Sequence, residues 1–335
     1  MKIAAVYSIK GGVGKTASAI NLAYVAANSG LRVLLWDLDP QAAATFYVRT
    51  KPKLKGGVEK LISGKQDLSR VIRATDYRNL DVLPAEFSYR NLDHILEEEK
   101  RSRLRKVLKP VRDDYDLVIL DCPPSISTLS EQVFAAADTL LVPMIPTVLS
   151  LRTLEQLNAY LAEIDLDVPV WPFFTLVDRR KTLHKDVMES LKQDHPLQLS
   201  GHIPYSSIVE RMGIERKPVP VFSRNSAPAA SYRELWKEVG QRLGLLKEPA
   251  AGEGKADADA SMPETSTTAG TSTANQSSQP SDKLEVSTDS KAKTAKSSTA
   301  KSSGKPSDKS SDKSSGKSSG KAGARRSKKG GNLGD

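Results

Sequence analysis

Two lysines and a threonine enclose three glycines near the start of the chain, and this spacing points to phosphate binding. Residues 10–16 read KGGVGKT. Glycines let backbone N–H groups approach phosphate oxygens closely, while a lysine followed by a threonine suits a phosphate contact and a Mg²⁺ ligand. The general phosphate loop, G-x-x-x-x-G-K-[ST], would begin at residue 9 if Lys15 and Thr16 close it. This chain has Ile9 there, followed by a second lysine, Lys10.

Two carboxylate-bearing segments follow apolar runs further along the chain. They are DLDPQAAAT at residues 37–45 and DLVILDCPPS at residues 116–125. Their candidate side chains are Asp39 and Asp121, which stand at the ends of runs typical of buried strands. Because strand ends in open α/β sheets surround the ligand, both aspartates are candidates for one site with the glycine-rich loop. The simpler alternative for Asp39 is an aspartate that caps a turn.

Strand-like and helix-like segments alternate along most of the chain. The apolar runs predict strands over residues 3–9, 31–39, 116–121, 138–144, 169–177 and 199–204. The helical spacing of apolar residues predicts helices over residues 16–30, 128–137, 149–164, 184–193 and 230–244. Such alternation predicts an α/β fold with a mostly parallel twisted sheet and helices on both faces. Residues 56–112 show no clear pattern.

The composition changes after residue 247, and this change sets the domain boundary. Residues 248–335 contain very few large apolar side chains, so they cannot bury enough surface to offset their ordering entropy. We predict one globular domain at residues 1–247 and a disordered Ser/Lys-rich tail at residues 248–335. The formal charge of +10 divides into +6 for the domain and +4 for the tail.

The charge of the tail is itself polarised. Acidic residues dominate residues 248–289, whereas residues 291–335 are basic, with a lysine at every fourth position from Lys301 to Lys321. A polycation of this kind favours nucleic acid by counterion release, whatever the base sequence. The alternative is an extension that only improves solubility.

Cysteine content and hydropathy indicate the cellular compartment in which we expect the protein. Cys122 is the only cysteine, which excludes an intramolecular disulfide and a metal or cluster site built from the cysteines of one chain. No apolar run reaches the roughly 18 residues that a membrane helix needs. The apolar run at the start of the chain is too short for a signal peptide. These features predict a soluble protein in a reducing cytoplasm.

The motifs together resemble those of the ParA/MinD family of P-loop ATPases. KGGVGKT is similar to the deviant phosphate loop of that family, DLDPQAAAT to its first switch, and DLVILDCPPS to its Walker B segment and second switch. The three motifs occur in the family's order, and the resemblance covers residues 1–246. It implies a P-loop ATPase fold with ATP and Mg²⁺ as cofactors.

The resemblance also implies roles for individual residues. Lys15 would serve the phosphates bound by its own subunit, and Lys10 would reach across a dimer interface to the partner's nucleotide. Asp39 would orient the attacking water. Thr16 would bind Mg²⁺ directly, and Asp121 through a water molecule. The residues that would contact the nucleotide form the loop and the start of the next helix: Gly11, Gly12, Val13, Gly14, Lys15, Thr16 and Ala17.

The chain departs from the family pattern at two places. Ala17 stands where relatives often carry a second threonine, so one hydroxyl near the α-phosphate is lost. Thr175 stands where relatives often begin an Asn-x-x-Asp adenine motif, which leaves Asp178 and Pro204 as the adenine-side candidates.

The remaining sequence helps to choose a branch of the family. The polar tail lacks the apolar face of a MinD-type membrane helix, one cysteine cannot supply half of a shared iron–sulfur cluster, and the tail contains no tyrosine, unlike that of the kinase-like relatives. We therefore expect no membrane partner and no iron–sulfur cluster. What remains resembles the ParA/Soj branch, in which an ATP-bound homodimer binds nonspecific DNA on the nucleoid. The candidate DNA-binding residues are Arg211, Arg216, Lys217, Arg224, Arg233 and Lys237.

The resemblance leaves more than one function open. The leading hypothesis is an ATPase that partitions or positions a cargo and is released when a ParB-like or other activating partner stimulates hydrolysis. The main alternative is a nucleotide-gated regulatory or scaffold protein that acts through a protein partner without DNA. A metabolic ATP-dependent ligase or synthase is less favoured, because the sequence shows no motif for a second substrate.

Overall fold

One eight-stranded sheet organises the part of the chain that the computed structural model describes, residues 1–52 and 57–247. Its strands are β1 (Lys2–Val6), β2 (Val33–Asp37), β3 (Arg73–Ala74), β4 (Leu80–Leu83), β5 (Leu117–Asp121), β6 (Thr139–Met144), β7 (Val170–Val177) and β8 (His202–Pro204). Their spatial order is β3-β4-β2-β5-β1-β6-β7-β8, and all neighbours are parallel except β3 and β4. The predicted α/β fold with a mostly parallel sheet is confirmed.

Helices pack against both faces of this sheet. In the described ranges the longer helices are α1 (Lys15–Asn28), α6 (Thr128–Ala136), α7 (Val148–Glu163), α8 (Thr182–Asp194) and α12 (Ala227–Arg242). The shorter ones are α2 (Ala43–Tyr47), α3 (Gly57–Ile62), α4 (Leu92–Glu97), α5 (Arg103–Leu108), α9 (Ser207–Glu210), α10 (Met212–Glu215) and α11 (Val219–Phe222). Three 3₁₀ turns, Leu68–Arg70, Phe87–Asn91 and Lys109–Val111, lie among them.

The strand β1 shows how the two faces are separated. Ile3 and Ala5 belong to one apolar core, which α3 to α8 complete, whereas Ala4 and Val6 belong to a second core that includes α1, α2 and α12. Successive side chains of a strand point to opposite faces, so a strand buried on both sides reads as a continuous apolar run. The predicted strands had this appearance, and that is why they could be recognised.

Some boundaries differ from those predicted. The first strand ends at Val6 rather than at residue 9, and the bend into the glycine-rich loop begins at residue 9. Residues 56–112, which showed no clear pattern, contribute β3, β4 and several short helices. The predicted tail at residues 248–335 lies outside the described residues. Within the described part of the chain, no helix has the length and apolar character needed to cross a membrane.

The register of three central strands positions the polar residues of the site. β5 lies between β1 and β2, with Asp121 level with Val6 on one side and with Asp37 on the other. All three positions are the last residues of their strands. The carboxyl edge of the sheet therefore brings together the glycine-rich loop, the segment after Asp37 and the segment after Asp121.

The packing beneath this edge yields a stability prediction. The Phe134 ring is fully buried and meets the Tyr7 ring edge to face, with centroids 4.7 Å apart. We expect Phe134→Ala to lower the free energy of unfolding by about 3–5 kcal/mol, because it removes a large buried side chain and leaves a cavity. Urea unfolding measures this change. Tyr205→Ala, at a ring that is 58% exposed, is the control and should cost less than about 1 kcal/mol; equal losses in the two variants would contradict this description of the core.

Candidate nucleotide-binding site

The glycine-rich loop joins β1 to α1 and needs glycine at two of its positions. Gly12 and Gly14 have φ angles of 73° and 86°, in the left-handed region that residues with a Cβ rarely adopt. Gly14 is also the residue from which α1 starts, and its carbonyl accepts the first helical hydrogen bond, from the Ser18 N–H at 2.9 Å. The loop thus presents backbone N–H groups and the positive end of a 14-residue helix to the same point.

Lys15 and Lys10 occupy different environments in this loop. The Lys15 side chain is only 7% exposed, and its Nζ donates a hydrogen bond to the backbone carbonyl of Lys10 at 3.1 Å. Burial lowers the pKa of Lys15, while Asp121, Cys122 and Asp39 partly oppose that effect. Lys10 is half-buried at the mouth of the loop. One lysine is therefore buried next to the carboxylates, and the other is only half-buried.

Two side chains, those of Thr175 and Ile9, help to fix the loop to the rest of the fold. The Thr175 hydroxyl, on β7, donates to the backbone carbonyl of Val13 at 2.7 Å. Ile9 packs against the apolar core, which explains why a side chain replaces the usual first glycine. Sequence reasoning treated Thr175 only as a break in an adenine motif and missed this contact, because the partners are 162 residues apart.

Asp37 and Asp121 form a pair of fully buried carboxylates at the ends of neighbouring strands. The Asp37 Oδ2 accepts hydrogen bonds from the backbone N–H of Thr45 at 2.8 Å and from its hydroxyl at 2.7 Å. Neither carboxylate oxygen of Asp121 has a hydrogen-bond partner in the described part of the chain. A buried carboxylate without a partner is costly and is expected where a cation or other ligand binds.

The pKa values of both aspartates reflect this burial. Burial raises the pKa of Asp37 to about 6. The pKa of Asp121 is raised well above its usual value, first by burial and then by the neighbouring Asp37, and Thr16 and Lys15 offset only part of this. Ionisation of these two carboxyl groups is therefore disfavoured in the absence of a cation. The hydroxyl of Thr16 and the carboxylate of Asp121 offer the oxygen atoms that Mg²⁺ prefers, and their binding of the ion stays a prediction.

Asp39 lies two residues beyond the end of β2, in a turn that faces the same edge. Its Oδ1 accepts a hydrogen bond from the Gln41 N–H at 2.9 Å, and its own N–H donates to the Asp37 Oδ1 at 3.2 Å. The residue is half-buried, so the carboxylate is held by the turn while part of it remains accessible to water. The position is compatible with a group that orients a water molecule, and that role of Asp39 stays a prediction.

The adenine-side candidates lie at the ends of the last two strands. Asp178 directly follows β7, and Pro204 is the last residue of β8. The Asp178 carboxylate forms an ion pair with Arg180 at 2.9 Å, and its backbone N–H donates to His184 Nδ1 at 3.1 Å. Both candidates therefore lie at the carboxyl edge of the sheet, and their contact with a base stays a prediction.

The candidate DNA-binding residues differ in solvent exposure and in ion pairing. Arg224, Arg233 and Lys237 are exposed. Arg211 is exposed but pairs with Glu215 at 2.6 Å. Arg216 and Lys217 are half-buried.

Large apolar side chains are exposed near the site as well. Ile126, in the segment after Asp121, is 44% exposed, and Val148 and Leu149, at the start of α7, are 66% and 60% exposed. Both segments follow strands at the carboxyl edge of the sheet. Exposed apolar side chains grouped around a polar site are typical of a surface that another protein covers.

Comparison with known proteins identifies relatives of the whole described domain. A family model described as an AAA domain matches residues 1–168. The chain is 31% identical over 247 residues to the sporulation initiation inhibitor protein Soj of Bacillus subtilis, a match that covers 71% of this chain and 98% of that protein.

Solved structures of two differently named proteins are similar to the chain over a comparable extent. A plasmid partition protein of Borrelia burgdorferi bound to AMPPNP is 25% identical, with a TM-score of 0.62 over 72% of this chain and 98% of that one. A cobyrinic acid a,c-diamide synthase of Mycobacterium smegmatis with bound ADP and magnesium is 28% identical, with a TM-score of 0.62 over 72% of this chain and 95% of that one.

The unpaired carboxylate of Asp121 leads to a prediction with opposite effects on stability and ligand binding. We expect Asp121→Asn to raise the free energy of unfolding of the ligand-free protein at neutral pH by about 1–3 kcal/mol, because it removes a buried carboxylate whose burial Thr16 and Lys15 offset only in part. The same variant should lose the additional stabilisation that Mg²⁺ and ATP give to the unmodified protein. Thermal unfolding with and without the ligands measures both effects.

A matched control for this prediction is Asp116→Asn, which removes a carboxylate that pairs with Arg32 at the surface at 2.7 Å. Its loss should cost less than about 1 kcal/mol and should leave the ligand effect intact. A ligand-free Asp121→Asn protein that is less stable than the unmodified one would show that the buried charge is compensated.

Proposed function

The chain belongs to the ParA/MinD family of P-loop ATPases, in its Soj-like branch, and from this premise we propose a DNA-based partition ATPase. In this proposal the ATP-bound homodimer binds nonspecific DNA on the cytoplasmic nucleoid and positions a cargo, which would be a chromosome, a plasmid or a protein complex. A ParB-like or other activating partner then stimulates ATP hydrolysis, which releases the protein from DNA. The observation that carries the proposal is the pair of lysines in one loop, with Lys15 buried next to the carboxylates and Lys10 only half-buried.

ATP and Mg²⁺ are the cofactors, as the ADP, ATP analogue and magnesium bound to related structures support. Gly11 to Ala17 would hold the phosphates through backbone N–H groups and the start of α1. Lys15 would leave the Lys10 carbonyl to contact a phosphate, and Thr16 and Asp121 would hold Mg²⁺, Asp121 through water. The metal supplies charge neutralisation of the phosphates during transfer. Asp178 and Pro204 would flank the adenine.

Hydrolysis requires a positioned water and additional positive charge. Asp39 would orient the attacking water from its turn beyond β2. Phosphoryl transfer depends mainly on positioning and charge stabilisation, so a subunit without the partner's cation hydrolyses slowly. Lys10 of a second subunit would complete the site, and the exposed Ile126, Val148 and Leu149 would supply apolar area for that interface. The dimer is then both the active enzyme and the state that hydrolysis dissolves.

The DNA-binding surface would be built from the C-terminal part of the domain. Arg224, Arg233 and Lys237 are exposed cations of that region, and the exposed Arg211 and the half-buried Arg216 and Lys217 would join them. Such contacts to phosphates carry no sequence information, in agreement with nonspecific binding. The basic residues 291–335 would add to this affinity.

Two other functions are distinguishable from this one. A regulatory or scaffold protein would bind a protein partner in the ATP state without DNA. A synthase, the activity named for one structural relative, would consume ATP only with a second substrate. Retention on random-sequence DNA with ATP but not with ADP favours the partition ATPase over both.

The central test compares DNA retention of the unmodified chain, Lys10→Ala and Asp39→Ala with ATP, with ADP and without nucleotide. We expect Lys10→Ala to lose ATP-dependent retention and about 100-fold or more of stimulated hydrolysis, because the charge supplied across the dimer is absent. Asp39→Ala should keep the DNA-bound state and lose hydrolysis. DNA binding that ignores nucleotide in all three proteins and vanishes when the tail is deleted would sink the proposal, because the polycation alone would explain it; the scaffold function would then be favoured.

The contribution of the tail has its own test. Deleting residues 291–335 should weaken DNA binding and flatten its dependence on salt, because fewer counterions are released. A titration of DNA affinity against salt concentration gives the slope for the intact and shortened chains. An unchanged slope would remove the tail from the DNA-binding surface.

A further inference from the structure

The basic segment around Arg216 is attached to α2, the short helix that follows the Asp39 turn. The Arg216 Nε donates to the backbone carbonyl of Phe46 at 3.0 Å, and its guanidinium lies over the Phe46 ring, 4.3 Å from the centroid. The charge of Arg216 is therefore engaged with α2 rather than only with solvent. The Phe46 ring is itself half-exposed, so the contact forms part of the surface.

Arg49, just beyond α2, makes the reciprocal contact. Its Nε donates to the backbone carbonyl of Arg216 at 3.2 Å, and its Nη2 donates to that of Glu215 at 3.1 Å. One guanidinium thus holds two successive carbonyls. The planar fork of arginine suits this geometry, and lysine carries the same charge without it.

Through Thr45, its middle residue, α2 is also fixed to one carboxylate of the nucleotide site, that of Asp37. Thr45 precedes Phe46 in the chain, and its backbone N–H and hydroxyl both donate to Asp37. Asp37 in turn lies level with Asp121 on the neighbouring strand. A short physical path therefore leads from the proposed metal ligand, through Asp37 and α2, to the segment at residues 215–216.

The neighbouring parts of that segment are anchored elsewhere. Asn21, on α1, donates its Nδ2 to the Met212 sulfur at 3.2 Å, and its Oδ1 accepts the Val219 N–H at 2.7 Å. Residues 212 and 219 are thus fixed to α1, and residues 213–218 span the gap between these anchors. Arg49 contacts the middle of that span.

Backbone strain is concentrated at the same connection. Among the described residues, six non-glycine residues have positive φ, and Ala42, Arg49 and Arg216 are three of them, at 54°, 59° and 50°. Strained conformations of this kind persist where the surroundings impose them, and they are common at switch regions. Ala42 precedes α2 and Arg49 follows it, while Arg216 is the residue that contacts Phe46 of α2.

We propose that Arg49 is a positioning residue that sets the conformation of residues 213–217 according to the state of the Asp37–Thr45 connection. Nucleotide and Mg²⁺ at the carboxyl edge of the sheet then control the DNA-binding surface through α2. This inference rests on the proposed function, because it assigns the regulation of that surface. Arg49 lies outside the residues that sequence reasoning selected.

The test compares the unmodified chain with Arg49→Ala, Arg49→Lys and Arg233→Ala. The readout is the ratio of affinities for a random-sequence DNA duplex with ATP and with ADP. We expect Arg49→Ala to reduce this ratio about tenfold, within the usual range of coupling between sites. Arg49→Lys should leave the ratio reduced, since it restores the charge but not the two-carbonyl contact. Arg233→Ala, at an exposed arginine of the same region, should weaken binding equally with both nucleotides.

A second readout does not depend on DNA. Hydrogen exchange of the amides at residues 213–217 should differ between the ATP and ADP states of the unmodified chain, and Arg49→Lys should abolish that difference. Either a normal ratio in Arg49→Ala or full recovery in Arg49→Lys would overturn the inference. An unmodified chain that shows the exchange difference but no ATP-dependent DNA binding would overturn the proposed function and leave this coupling supported. Absence of the exchange difference in that chain would overturn the coupling.

Discussion

The burial of Asp37 beside Asp121 is the constraint on which the site depends. Two carboxylates at the ends of adjacent strands repel each other, and a dry environment strengthens that repulsion. Asp37 is compensated by two hydrogen bonds from Thr45, whereas the oxygens of Asp121 have none among the described residues. The sheet core holds the two carboxylates in place. A bound cation with its phosphate ligands would reduce the repulsion between them.

This constraint links stability to pH in a defined direction. The pKa of Asp37 is raised in the fold to about 6 from its usual 3.8, so the folded state binds more protons than the unfolded chain between these values. The destabilisation is therefore absent below pH 3.8 and complete above about 6, and the ligand-free protein becomes less stable as pH rises through that window. A cation that binds the ionised pair reverses part of this loss.

Local sequence patterns were sufficient to predict the sheet and to place the glycine-rich loop, Asp39 and Asp121 at its carboxyl edge. Each of these features depends on periodicity or on a short motif. They were insufficient for Thr175, whose partner Val13 is 162 residues away, and for Arg49, whose partner Arg216 is 167 residues away. An isolated threonine or arginine carries no signal of a distant backbone carbonyl. The hairpin of β3 and β4 was missed for a related reason, since two and four residues are too few to show a period.

The proposed connection through α2 has a consequence that follows from thermodynamics alone. Asp37 accepts hydrogen bonds from Thr45 of α2 and lies level with Asp121, the proposed metal ligand, so one carboxylate stands between α2 and the metal site. If nucleotide changes the DNA affinity by some factor through this residue, DNA must change the nucleotide affinity by the same factor. The DNA-bound protein would then retain ATP more tightly, and hydrolysis rather than nucleotide exchange would end the bound state. A slow basal ATPase is suited to that arrangement, because it lets the activating partner set the time of release.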